Sequence, residues 1–316
     1  MILFFALSGF VLFLPYERRG LSYVHFVVKR ICRIYLPYLG ALALAVAMNL
    51  HYHGLVTDHQ WVNSTWNREP NSNLIFQHIL FLGNYPWETF NTAFWSLVYE
   101  MRISLIFPFL AIAILRLRNV WMVVFAILTS LLSVHYHRIF ALLSLNPPGN
   151  QTVDTLHYMS FFVLGAILAK NREFIRERYR QLPLFLVFFL PVLAILFYYH
   201  PFSIPLAGAA ILPEQKTVDW SVALGSLIVI TLAICSGPFK KVLNNDAIHY
   251  LGRISYSVYL VHGTVLFTLI YICRGHLKFS YLPIYLIGVF SLASIFHFLI
   301  EKPSMVLGQR LGKIVR

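Results

Sequence analysis

The chain has 316 residues, of which 59% are hydrophobic and only 12% are charged, and its formal net charge at pH 7 is +13. An average soluble domain is about 45–50% apolar and about 25% charged. This composition therefore excludes an ordinary soluble protein and indicates an integral membrane protein.

The apolar stretches are long and continuous, which favours membrane-spanning helices over the short alternating segments of a barrel. With a window of about 20 residues, the sequence predicts an all-α polytopic helix bundle that forms one domain over residues 1–316. Its nine predicted spans are 1–14, 34–50, 94–115, 119–135, 155–169, 183–199, 220–236, 254–273 and 281–300.

The basic residues are distributed unequally between the two sets of loops. If the first span runs from outside to inside, the inner loops hold 19 of the 25 Lys and Arg residues, the outer loops hold 5, and Arg102 lies within a span. This asymmetry follows the positive-inside rule. We therefore expect a bacterial inner-membrane protein with a cytoplasmic C-terminus, whose positive charge orients it in the bilayer and requires no nucleic-acid partner.

The first span contains "FFALSGF", with Ser8 and Gly9 near its middle. Small residues at such positions let two membrane helices approach closely. The span is short, and no basic residue precedes it to orient it. We therefore expect a further in-to-out helix upstream of Met1, so that the sequence would be an N-terminally truncated domain.

The second span is preceded by "VKRICRIYLPY". Arg30 and Arg33 are three residues apart and would share one face of an α-helix. They are either positive-inside anchors or a clamp for a phosphate-bearing molecule from the cytosol, because paired guanidinium groups suit phosphate geometry. The spacing alone leaves both interpretations open.

The longest loop, 51–93, combines polar and aromatic residues and is expected to face outward. Its stretch "HYHGLVTDH" offers His51, His53, Asp58 and His59 as metal ligands, but loop histidines without a second ligand cluster favour plain polar surface, and we expect no metal. The apolar stretch 74–83 is too short to span a bilayer and predicts an interfacial or re-entrant helix.

The third span opens with "FWSLVYE", in which Ser96 and Glu100 are four residues apart and share a face, whereas Arg102 points elsewhere. Trp95 is placed as an interfacial anchor. A charge in the middle of a membrane helix costs about 2.5–3.5 kcal/mol on insertion scales and often marks a functional site. We interpret Glu100 as functional and Arg102 as structural; a purely structural pair is the alternative for both.

The eighth span contains "RISYSVYLVH", where Tyr256, Tyr259 and His262 follow one stripe. A lone membrane histidine can be a core residue whose hydrogen bonds are all made, but three polar side chains on one helix face favour a polar cavity. The last span ends in "FLIEKPSM"; Glu301 is expected at the inner boundary, and Pro303 is expected to end the helix.

Five of these elements occur in the same order in the acyltransferase-3 family of integral membrane O-acyltransferases, which the chain resembles over nearly its whole length. They are "FFALSGF", "KRICRIYLPY", "FWSLVYE", "RISYSVYLVH" and the closing "EKP". The resemblance implies a core of ten helices, nine of them present here. It also implies transfer of an acyl group, often acetyl from cytosolic acetyl-CoA, to hydroxyls of a surface or exported glycan.

The resemblance also implies roles for individual residues. Arg30 and Arg33 would hold the acyl-CoA phosphates on the inner side, with Ser8 of the S-G-F element among the substrate-binding residues. Trp95, Ser96 and Glu100 would lie towards the outer side of the transfer path, which Tyr256, Tyr259 and His262 would line. The family's histidine-bearing first helix is not in this sequence, so Glu100 and His262 are the catalytic candidates; acyl-CoA is a substrate, and no permanently bound cofactor is expected.

Two other classes of function fit the residues. A transporter of a polar or anionic solute would use Glu100 and His262 as a proton or substrate path. A membrane subunit of a polysaccharide assembly would have no activity of its own.

Overall fold

A computed structural model describes residues 1–19, 22–55, 57, 60–67, 69–81, 85–144, 149–199, 214–276 and 278–314. The described elements are helices. Those of the first half are α1 (Ile2–Arg19), α2 (Tyr23–Arg30), a π-turn (Ile31–Tyr35), α3 (Leu36–His51), α4 (Gln60–Asn63), α5 (Ser72–Leu80), a 3₁₀ turn (Trp87–Thr89), α6 (Phe94–Arg116) and α7 (Asn119–Leu142).

The second half continues in the same way. It contains α8 (Asn150–Lys170), α9 (Arg172–Arg180), α10 (Leu184–Tyr198), α11 (Glu214–Cys235), α12 (Gly237–Leu243), α13 (Asp246–Ile272), a 3₁₀ turn (Phe279–Tyr281), α14 (Leu282–Phe296), a second π-turn (His297–Glu301) and α15 (Lys302–Ile314). The predicted all-α polytopic fold is confirmed.

Each of the nine predicted spans coincides with a helix, although the helices extend beyond several predicted ends. Within the described residues, seven helical segments are long and apolar enough to cross a membrane. The other two predicted spans correspond to shorter apolar helices, Ile2–Glu17 and Leu184–Tyr198. The predicted segment 74–83 is helical as far as Leu80, in α5; residues 82 and 83 lie outside the described residues, and the interfacial or re-entrant position stays a prediction.

The predicted helix end at Pro303 is wrong, because the chain remains helical through α15 to Ile314. Proline lacks the N–H for an i→i−4 hydrogen bond and normally breaks a helix interior. Here Pro303 follows a π-turn, where the hydrogen-bond register has already changed to i→i+5. The missing N–H therefore falls where the α-helical ladder is interrupted anyway.

The chain folds into two compact units. The first comprises Met1–Leu21 and Leu105–Ile248, and the second comprises Ser22–Ser104 and His249–Arg316. In the first unit α1 packs on α8 at two glycines: a Cβ at Gly9 would overlap the backbone of Phe162, and a Cβ at Gly165 would overlap the backbone of Ala6. The close approach predicted for the "SGF" element is confirmed.

A buried polar chain crosses the first unit and was not anticipated from the sequence. Trp220 Nε1 donates to Ser130 Oγ at 2.9 Å, Ser130 Oγ lies 2.8 Å from His157 Nδ1, and His157 Nε2 lies 3.1 Å from Asp219 Oδ2. An ionised Asp219 only accepts, so Nε2 carries a proton, and a neutral His157 then accepts from Ser130. Each member is satisfied, which makes the chain a stabilising network.

In the second unit α3, α6 and α13 share an aromatic-rich core with Phe81, Tyr85 and Phe90. Tyr38 is fully buried, its ring lies 4.2 Å from that of Phe81, and its hydroxyl donates to the carbonyl of His78 at 3.0 Å. Trp66 is also fully buried, and its Nε1 donates to the carbonyl of Phe90 at 2.9 Å. These contacts tie the described part of the 51–93 loop to the helices.

His78 gives this loop a pH-dependent stability. The side chain is fully buried, and burial lowers its pKa below the usual value. Between the lowered pKa and about 6.5, the unfolded chain therefore binds more protons than the folded chain. The contribution of neutral His78 to the free energy of unfolding is therefore complete above about pH 6.5 and is lost as the pH falls.

We expect the unfolding temperature in detergent to fall between pH 8 and pH 5, and to fall less in His78→Phe. The difference between the two curves isolates this residue from the other histidines. Parallel curves would contradict a neutral, buried His78.

Candidate functional site

Arg30, at the end of α2, is the centre of the buried polar site in the second unit. It is 7% exposed, and its Nη2 donates to Glu100 Oε1 at 2.9 Å and to Ser104 Oγ at 2.8 Å. Its Nε also donates to Ser104 Oγ, at 3.1 Å. A buried charge is tolerated when it is paired and hydrogen-bonded in this way.

This pairing gives Glu100 a buried cationic partner in an otherwise apolar helix. Arg30 and Glu100 were expected towards opposite sides, but the structure places them in contact. The helical segment runs from Tyr23 to His51 and does not begin near residue 34, so Arg30 lies seven residues beyond its start.

The two arginines do not form the expected shared face, because Arg30 is buried and Arg33 is exposed. Arg33 lies in the π-turn Ile31–Tyr35. A π-turn closes i→i+5 hydrogen bonds and holds more residues per turn than an α-helix, so positions three apart diverge around the axis. Spacing rules for α-helices fail at this point of the chain.

Three polar side chains of α6 form one stripe, namely Ser96, Glu100 and Ser104, at i, i+4 and i+8. Ser96 Oγ lies 2.7 Å from the hydroxyl of Tyr259, which itself donates to the carbonyl of Ala93. Because the Tyr259 proton is used there, the serine is the donor of the pair. Ser104 was missed from the sequence, although continuing the Ser96–Glu100 spacing by one turn leads to it.

Tyr256 and Tyr259 of α13 both lie near Glu100. Tyr256 donates to the carbonyl of Ile34, in the first π-turn, at 2.9 Å. Glu100 acts electrostatically on the hydroxyls of both Tyr256 and Tyr259. The α6 stripe, the α13 stripe and the π-turn thus meet around one carboxylate.

His262 lies one turn beyond Tyr259 and is half-buried. Its Nδ1 is 2.7 Å from the carbonyl oxygen of Tyr259, and the two rings lie 5.6 Å apart. A carbonyl oxygen only accepts, so Nδ1 carries the proton, and Nε2 of the neutral ring has the lone pair. That is the tautomer required of a general base acting through Nε2.

Trp95 and Arg102 belong to an aromatic face of α6. The Trp95 ring lies 5.9 Å from that of Tyr99, and the Arg102 guanidinium lies 6.0 Å from the centroid of the same ring. The prediction that Arg102 points away from Glu100 agrees with this cation–π placement. Ser8 is half-buried on α1, in the first unit, next to Gly9.

A second buried cluster lies at the end of the last predicted span, in the second π-turn. His297 Nδ1 lies 2.9 Å from Glu301 Oε2, and Ser257 donates to the same oxygen. All three residues are at most 5% exposed. Glu301 belongs to the second π-turn and is buried against Ser257, the residue that follows Tyr256; its expected position at the inner membrane boundary stays a prediction. His297 was missed; its i, i+4 spacing to Glu301 was the available signal.

Two of the four loop residues considered as metal ligands, Asp58 and His59, lie outside the described residues. His53 Nδ1 is 3.1 Å from the carbonyl of Asn49. Among the described residues, no three His, Cys, Asp or Glu side chains are grouped as a metal site would require.

The helical architecture and a charged cluster buried among apolar helices define a polytopic membrane protein with an intramembrane polar site. The chain matches the Acyl_transf_3 family, described as an acyltransferase domain, over residues 1–298, and it belongs to that family. It is therefore a membrane acyltransferase. No curated protein and no solved structure was found to match it.

Proposed function

We propose that the protein moves an acyl group, acetyl in the simplest case, from cytosolic acyl-CoA to a hydroxyl of a surface or exported glycan in the bacterial inner membrane. The observation that carries the proposal is the contact between Arg30 and Glu100. It joins the "KRICRIYLPY" segment, implied to bind the donor, to the "FWSLVYE" helix, implied to bind the acceptor. Family membership favours this enzymatic function over transport.

The two arginines then have different tasks. Arg30 is occupied by Glu100 and Ser104, so it positions the carboxylate. Arg33 is exposed, and its forked guanidinium suits the phosphates of acyl-CoA. With the C-terminus on the cytosolic side, as the loop charges predict, Arg33 is accessible to a cytosolic donor.

The reaction exchanges one acyl bond for another. The acceptor oxygen attacks the thioester carbonyl, its C–O bond forms, and the C–S bond of acyl-CoA breaks. The acceptor proton passes to His262 Nε2 and then to the departing thiolate, which leaves as the free thiol of CoA. Glu100, held by Arg30, orients the acceptor hydroxyls or stabilises the protonated base.

We expect membrane vesicles that contain the full chain to transfer label from [acetyl-¹⁴C]acetyl-CoA to a glycan as an alkali-labile ester. Replacing a general base costs about 10²–10⁴-fold, so His262→Gln should lower the rate by about that factor. His249→Gln is the matched control, because His249 is exposed on the same helix. An unchanged rate in His262→Gln would reject the base assignment alone. Absence of ester with every glycan and acyl-CoA, together with uptake of label, would reject the function.

Arg33→Lys is expected to raise the KM for acetyl-CoA about tenfold with kcat little changed, because a point ammonium lacks the bidentate fork and only donor binding is weakened. The control substrate is acetyl-pantetheine, which lacks the nucleotide phosphates of acyl-CoA. Its KM should be the same for the wild type and Arg33→Lys. An equal loss with both donors would show that Arg33 does not contact those phosphates.

A further inference from the structure

A cavity of about 390 Å³ opens among α9, α10 and α11 in the first unit. Its walls are almost entirely apolar and include Phe174, Leu182, Leu190, Phe197 and Leu227. Its volume is that of a small-molecule site, which in proteins is about 300–1,000 Å³. None of its lining residues belongs to the acyl-transfer site.

The cavity is long enough for much of a lipid chain. Its lining on α10 covers Leu190 to Phe197 and its lining on α11 covers Leu224 to Thr231, each roughly 10 Å at 1.5 Å per helical residue. One leaflet of the hydrocarbon core is about 15 Å deep. A groove of this length between apolar helices matches the greater part of one extended acyl chain.

Its α9 end is basic. The sequence of α9, "REFIRERYR", places four arginines and two glutamates on a nine-residue helix with Phe174 and Ile175, a composition typical of helices that lie at a membrane surface. Arg172 is paired with Glu17, and Arg176 is paired with Glu173. By the distribution of loop charges, this end faces the cytoplasmic leaflet.

Arg178 lies at the α9 end of the groove. Its guanidinium is 5.2 Å from the centroid of the Phe174 ring, the residue is exposed, and no carboxylate of the described chain forms a salt bridge with it. The groove itself has almost no polar surface, so an anionic group would be bound at this rim while an apolar chain fills the groove.

We propose that this groove binds one anionic phospholipid of the cytoplasmic leaflet. One acyl chain lies along Leu190, Leu227 and Phe197, and the phosphate is bound by Arg178 at the rim. An anionic headgroup is favoured over a zwitterionic one because the nine residues of α9 carry a net charge of +2 and the zwitterion adds a cation beside them. The site is independent of the acyl-transfer reaction.

The test uses the full chain in phosphatidylcholine nanodiscs doped with a phosphatidylglycerol that carries a diazirine near the end of one acyl chain. After irradiation, labelled peptides are identified by mass spectrometry. We expect saturable labelling in the peptides that contain Leu190 and Leu227, suppressed by unlabelled phosphatidylglycerol and not by phosphatidylcholine.

Matched variants separate the two halves of the site. Arg178→Gln removes the phosphate contact and should weaken labelling about tenfold, as expected for loss of a charge-assisted hydrogen bond. Arg180→Gln, on the same helix but outside the lining, should not. Leu190→Trp fills the groove and should abolish labelling, whereas Val192→Trp, exposed two residues away on α10, should not.

Three results would overturn the proposal: labelling that does not saturate, equal competition by phosphatidylcholine, or equal effects of the variants and their controls. Competition by a long-chain acyl-CoA but not by phosphatidylglycerol would overturn the choice of occupant.

Discussion

Arg30→Ala is expected to reduce both stability and acyl transfer more than any other charge removal in the chain. The substitution removes the guanidinium that donates to both Glu100 and Ser104. Breaking a buried pair costs about 3–5 kcal/mol, and the lower end applies here because the Glu100 side chain is 21% exposed. Transfer should fall by about a hundredfold, because the carboxylate loses the guanidinium that positions it and a misplacement of about 1 Å can cost that factor.

A double substitution separates the structural from the functional contribution of the pair. Replacing both partners by apolar residues, as in Arg30→Met/Glu100→Leu, removes the buried charges together and should recover most of the stability lost in Arg30→Ala. Transfer should stay abolished, because the carboxylate is gone.

Thermal unfolding in detergent and ester formation from acetyl-CoA measure the two effects, with Arg116→Ala, at the exposed end of α6, as the surface control. Wild-type transfer by the double variant would show that the pair only stabilises the fold. Full stability of Arg30→Ala would contradict the buried contact itself.

Gly165→Ala is expected to be the most destabilising change of a single methyl group. A Cβ there would overlap the carbonyl oxygen of Ala6, which is backbone and cannot rotate away as a side chain can. Relief requires α1 and α8 to separate, and overpacking of this kind costs about 3 kcal/mol or more when the obstacle is rigid. Gly9→Ala should act in the same way, because its Cβ would overlap the backbone of Phe162.

Gly252→Ala is the matched control for these substitutions. Gly252 lies in α13, and nothing stands within 4 Å of an added Cβ. Alanine is favoured over glycine in a helix interior by about 1 kcal/mol, so this variant should be as stable as the wild type or slightly more stable. A loss at Gly252 equal to that at Gly165 would attribute the effect to glycine flexibility and not to helix contact.

The local sequence pattern was sufficient to predict the helices and part of the candidate site. The apolar runs determined where the spans lie, because a bilayer requires long apolar helices whatever their partners are. The four-residue spacing of Ser96 and Glu100 and the stripe of Tyr256 and Tyr259 were visible for the same reason, since neighbours on one helix face depend on the helical repeat alone.

The sequence could not predict which residues of different helices pair with one another. Arg30 and Glu100 are 70 residues apart, and His157 and Asp219 are 62 apart; no periodicity links such positions. The π-turns were also hidden, because they insert a residue into a regular helix without a distinctive residue type. Arg33 was therefore placed on the wrong face, and the last helix was ended at Pro303.

What the sequence alone determined is the class of fold, the order of the spans and the identity of the charged residues that a membrane helix would not carry without a reason. What only the tertiary structure decided is which partner each of those residues has. The physical cause is that burying a charge is unfavourable wherever it occurs along a helix, whereas the hydrogen bonds that make it tolerable come from another helix, distant along the chain, whose approach depends on packing.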